Sequence, residues 1–171
     1  MKIIRTYIFC LDDHKSFSED VKNRFSDPTK YYVEVTHNRE DFMKSIRKED
    51  EPGIYRIAII GLYDSKDNME YTESIISGIR ESAPETAVLL ITPQDKTEEI
   101  RDNSKLTADY FIPKNTNAIL RIHNSVKKLI SEHNLSLYSK RKKLSTLILV
   151  FFLIASAFFL LVARFVLPGY F

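Results

Sequence analysis

The chain has 171 residues and a formal net charge of +2, with 25 basic and 23 acidic residues. Residues 140–171 hold five of the basic residues and none of the acidic ones, so the first 139 residues carry a net charge of −3. That balance lacks the basic footprint of a nucleic-acid binder. One cysteine excludes an internal disulfide, and only four glycines leave no glycine-rich phosphate loop or dinucleotide fingerprint.

Taken in order, Tyr7–Leu11 is a short apolar run ending at Asp12-Asp13, the pattern of a strand buried on both faces in a parallel sheet. Phe17, Val21 and Phe25 recur every four residues and predict a helix from Ser16 to Phe25, closed by Asp27-Pro28. Tyr31–Thr36 alternates and is β-branched, a second strand. Asn38 is placed to cap a helix through Arg47, with Phe42 and Ile46 inward. Ile57–Ile60 is the third strand, ended by Gly61 and a polar loop. A helix from Met69 to Ser82 follows, then strand Ala87–Ile91 ending at Thr92-Pro93, and a short polar helix from Thr97 to Ser104. Tyr110–Ile112 is a fifth strand, closed by Pro113-Lys114. The last helix starts near Thr116 and carries Ile119, Ile122, Val126, Leu129 and Ile130 on one side.

Strands therefore alternate with helices five times. The expected fold is α/β: a five-stranded, parallel, doubly wound sheet of the flavodoxin-like kind over residues 1–133. Functional groups in such sheets sit at the carboxyl ends of the strands. Those positions hold Asp12, Asp13, Gly61, Thr92 and Lys114.

The motifs CLDDH at 10–14, IAIIGLYD at 57–64, LLIT at 89–92 and TADYFIPK at 107–114 resemble the receiver domain of bacterial response regulators, over roughly residues 5–133. The resemblance implies that Asp12 and Asp13 match an acidic pair that binds Mg²⁺. It places Thr92 and Lys114 where a hydroxyl and a lysine contact a phosphoryl group, and Phe111 where the family often has an aromatic switch residue. It also implies an interaction surface on helix 4, strand 5 and helix 5, here including Phe111, Ile119 and Ile122, used for a partner or for self-association. Gly61 falls on the phospho-acceptor position and has no carboxylate nucleophile. With Asp12 and Asp13 alone, Mg²⁺ is expected to bind weakly, so no cofactor is assigned. The expectation is a degenerate receiver without phosphotransfer, not an enzyme. An active receiver using Asp64, or a non-covalent ligand, is the alternative.

The same residues carry plainer readings. Asp12 and Asp13 can cap the first helix through its terminal amides. Lys114 can form a static ion pair with either. Asp64 and Asp67 read as solvated loop residues, His14 as exposed rather than ligating, and Cys10 as a small buried apolar group.

Residues 144–163 are 20 consecutive uncharged residues. As a helix they cover about 30 Å, the thickness of a bilayer's hydrocarbon core. Lys140, Arg141, Lys142 and Lys143 stand before them, which predicts a cytoplasmic N-terminal domain by the positive-inside rule. The expected layout is a helical basic linker at 134–143, a single transmembrane helix at 144–166 and a short non-cytoplasmic tail at 167–171. Ala155, Ser156 and Ala157 form a small-residue patch suited to close helix approach, and Arg164 can snorkel to the far interface. The expected place is a bacterial inner membrane, with the lipid bilayer and a membrane-protein complex as partners and no nucleic acid.

Overall fold

The computed structural model describes residues 5–48, 54–62, 66–102 and 106–166, with side chains left undescribed at 48, 66–68, 140–141, 144 and 157–166. Two compact units are present, Met1–Ile130 and Ser131–Phe171.

The first unit is built on β1 (Arg5–Leu11), β2 (Tyr31–Thr36), β3 (Ile54–Gly61), β4 (Ala87–Thr92) and β5 (Tyr110–Pro113), parallel in every pairing and ordered β2-β1-β3-β4-β5. Helices α1 (Lys15–Arg24), α2 (Arg39–Lys48), α3 (Lys66–Ser82) and α4 (Thr97–Asp102) connect the strands, and α5 (Ala118–Val166) follows the last. The expected fold and its five alternations are present. Boundaries shift by a few residues, chiefly where β1 and β3 extend past their apolar centres.

The two-residue period of the strands sorts the core into two layers. Ile8 and Cys10 of β1, Ile57 and Ile59 of β3, Leu89 and Ile91 of β4 and Ile112 of β5 face one side. There they meet Phe17 and Val21 of α1 and Ile122, Val126 and Leu129 of α5. Phe9, Leu11, Ala58, Ile60, Val88 and Leu90 face the other side, against Phe42 and Ile46 of α2, Ile75, Ile76 and Ile79 of α3, and Ile100 of α4. The central strands are apolar through Tyr7–Leu11, Ile57–Ile60 and Ala87–Ile91 because both faces are covered there. At the edge, β2 is half-buried and alternates.

Local chemistry sets the helix starts. Asn38 accepts the Asp41 backbone N–H at 2.8 Å through Oδ1 and donates Nδ2 to the Asp41 carboxylate at 2.7 Å, a reciprocal cap on α2. Asn115 accepts the Asn117 N–H at 3.0 Å just ahead of α5. On α3, Gly78 permits close approach by α2: a Cβ there would stand 3.1 Å from Met43 Cε.

The amino end of β4 is clamped. Arg80 donates to the carbonyls of Thr86 and Thr107, both at 2.9 Å, and to Asp109 Oδ2 at 3.0 Å. The same carboxylate oxygen accepts the Val88 N–H at 2.7 Å.

Ile122 was expected on a partner surface. It is fully buried against the sheet, because its helical phase matches Val126 and Leu129. Ile119 is partly buried on the same cluster, and Phe111 packs partly buried on the opposite one.

Along the second unit, Leu147 to Ile154 are all strongly exposed. Among the described residues no helix is long and apolar enough to cross a membrane. Within the segment expected to span, 144–163, the side chains of 144 and 157–163 are not described. Lys142 and Lys143 are exposed on the helix.

Candidate functional site

The strand order puts β1 beside β3, and chain connections leave in opposite directions from these two strands. That switch point is where open α/β sheets form their crevice. A pocket of about 40 Å³ opens there, lined by Asp12, Asp13, His37, Gly61, Tyr71 and Thr72 with apolar walls. Gly61, paired with Ile91 of β4, is the last residue of β3 and contributes no side-chain chemistry.

Asp12 leaves β1 with its side chain wholly out of solvent. Oδ1 accepts the His14 backbone N–H at 2.7 Å and lies 3.6 Å from His14 Nδ1. Oδ2 is buried and has no hydrogen-bond partner among the described residues. Burying a carboxylate with half of its acceptor capacity unmet is costly, so this atom marks the pocket as a place that wants a donor or a cation. The expected helix cap is corrected here. His14 is the N-cap residue of α1, without a side-chain capping bond, and Asp12 holds the amide of that residue, one step short of the helix. Asp13 is exposed.

His37, directly after β2, was not singled out from sequence. Its Nδ1 sits 2.8 Å from the Asp12 carbonyl oxygen, so that nitrogen carries the proton and donates. The strand-end rule applied to β2 as well as to the other strands points at this residue.

Thr92 is fully buried and does not line the pocket. Its hydroxyl lies 2.9 Å from that of Thr97, which donates to the Pro93 carbonyl at 2.9 Å. Thr97 has one proton, so Thr92 is the donor of the pair. Nothing in the sequence around Thr97 announces this partnership across the β4–α4 loop.

Lys114 follows β5, and its backbone N–H donates to the Thr92 carbonyl at 2.7 Å. Its ammonium is 3.4 Å from His14 Nδ1 and 5.4 Å from the Phe17 ring centroid. The structure thus joins Asp12, His14 and Lys114 in a chain along the sheet's carboxyl edge, while Asp12, Asp13 and Gly61 share the pocket. Cys10, one residue inside the edge, is buried. Burial first, then the Asp12 charge, push its thiol up to about 12, so it is inert at neutral pH. Asp64 lies outside the described residues, and of Asp67 only the backbone, in the first turn of α3, is described.

Mg²⁺ is the ion that the receiver resemblance implies. Asp12 Oδ2 is a suitable oxygen, but the described residues hold no group of three ligating side chains. Gly61 withholds the carboxylate that would complete the phosphoryl-coupled site. The residues present do not fit that site.

Solved structures similar to this chain include response regulators and their receiver domains. A response regulator from Thermotoga maritima matches with a TM-score of 0.60 and 21% identity, over 74% of this chain and 98% of its own. The response regulator TrrA from the same organism, in complex with Mg²⁺-BeF, matches at 0.55 and 20%, over 72% and 98%. A receiver domain protein from Clostridium thermocellum matches at 0.59 and 16%, over 76% and 98%. No sequence-family profile and no curated protein sequence matches the chain. At these identities the likeness establishes the receiver fold.

Proposed function

We propose that this chain is a phosphorylation-independent, receiver-type interaction module held at a bacterial inner membrane. The observation that carries the reading is Gly61, which lines the switch-point pocket together with Asp12 and Asp13 at the position where the receiver fold would place its acceptor carboxylate. Aspartyl phosphate cannot form without a carboxylate nucleophile. The buried Thr92–Thr97 pair supports the same reading, since the hydroxyl is committed within the β4–α4 loop. The membrane part of the proposal rests on the uncharged stretch 144–163 behind the basic run 140–143. The α4–β5–α5 face, with half-buried Phe111 and Ile119, is the proposed contact surface for a membrane-protein complex or a second copy.

Incubating the full-length protein in detergent with acetyl phosphate and Mg²⁺ tests the central point. No acid-labile adduct is expected by mass spectrometry of the intact chain. A stoichiometric adduct would overturn the proposal, and its mapping to Asp64 would establish an active receiver with a displaced acceptor.

A further inference from the structure

We infer that the Gly61 pocket is a receptacle for the lysine side chain of a partner protein. The inference deepens the reading of the module as phosphorylation-independent and rests on it.

Three features define the occupant. The floor is anionic: Asp12 presents a buried oxygen with no partner among the described residues, and Asp13 stands beside it. Part of the wall is apolar: Leu11, Ile60 and Ile75 line the same space, all nearly or fully buried, beside the polar His37 and Thr72. Tyr71, 43% exposed, also lines the pocket, so an aromatic ring is available to an incoming side chain. A hydrated divalent ion keeps waters that need polar partners, and Leu11, Ile60 and Ile75 offer them none. A lysine carries a methylene stem suited to apolar walls and an ammonium suited to carboxylates. The volume of about 40 Å³ admits a few water-sized groups, enough for a compact ammonium. A guanidinium is planar and wider, so lysine is favoured over arginine. The carboxylate that fills this position in a working receiver would occupy the same space. Its absence at Gly61 both removes the chemistry and opens the receptacle.

The probe is n-butylammonium, a lysine side chain without its backbone, titrated into the full-length chain in detergent micelles. The amide resonances of Asp12, Asp13 and Gly61 are followed at constant ionic strength, with n-butanol as the uncharged control. Saturable shifts with butylammonium and none with butanol are expected. Asp12→Asn, which keeps the acceptor for the His14 amide, is expected to weaken binding at least tenfold. Gly61→Val, which fills the space and leaves both carboxylates, is expected to abolish it. Absence of saturable shifts overturns the inference. So does equal binding by both variants, or saturation of the same amides by MgCl₂ at lower concentration with exclusion of the amine. Failure here without a phosphoryl adduct removes the lysine receptacle alone; an adduct in the acetyl phosphate experiment removes the function beneath it.

Discussion

His123 on α5 is held in an unfavourable setting for a proton. Its ring packs on Phe25 with centroids 5.5 Å apart, and its Nδ1 is buried with no partner among the described residues. Burial first, then the charges of Arg24 and Lys127, lower its pKa from the ordinary 6.5. The unfolded chain therefore binds this proton before the folded one does as the pH falls. The stability from keeping the ring neutral is complete above about pH 6.5 and is lost as pH drops through the folded value. His123→Gln is expected to flatten the fall in Tm between pH 7 and pH 5, measured by circular dichroism in detergent. An unchanged slope would assign that fall to other groups. Asp27 has the opposite circumstance: hydrogen bonds from Lys30 and Thr29 lower its pKa to about 2 at the half-exposed turn before β2.

Most of the elements are legible in the sequence because burial on both faces leaves an unmistakable apolar run, as in Ile57–Ile60 and Ala87–Ile91. Asn38 is equally legible, since a cap residue followed three positions on by an acid has one local use. Removing it by Asn38→Ala is expected to cost about 1 kcal/mol and lower Tm by roughly 3 °C. A loss confined to the noise would mean that Asp41 caps α2 unaided. The carboxyl-edge residues Asp12, Gly61 and Lys114 were also readable, because strand ends are fixed by where apolar runs stop. What escaped is long-range pairing. The His37 imidazole meets the Asp12 carbonyl across 25 positions of sequence, and Lys114 meets His14 across 100. Neither leaves a periodic trace. Ile122 escaped for a different reason: a helix side read as one stripe contains both core and rim, and only packing separates fully buried Ile122 from partly buried Ile119.

At the scale of the whole molecule, a receiver fold with a net negative charge is followed by the basic run 140–143 and the uncharged stretch 144–163. The proposed anchor makes a definite prediction. After alkaline carbonate washing, the full-length protein is expected to stay with bacterial membranes, and a version truncated before Lys140 to appear in the supernatant. Release of the full-length chain by carbonate would refute the anchor and leave the receiver fold untouched. In sealed, inside-out vesicles, added protease is expected to digest the N-terminal unit, as the basic run at 140–143 dictates.

The Asp109 clamp carries a consequence for how the sheet breathes. Amides in the first residues of a strand ordinarily fray, trading hydrogen for deuterium long before the middle of the strand does. Here the Val88 amide is tied to a carboxylate that Arg80 holds in turn. Deuterium should therefore enter Val88 about as slowly as it enters Leu90, and Arg80→Ala should release it selectively. The sheet is stapled where β4 begins, whereas Asp12 Oδ2, just past the end of β1, has no hydrogen-bond partner among the described residues. Slow opening motions should consequently start at the carboxyl edge.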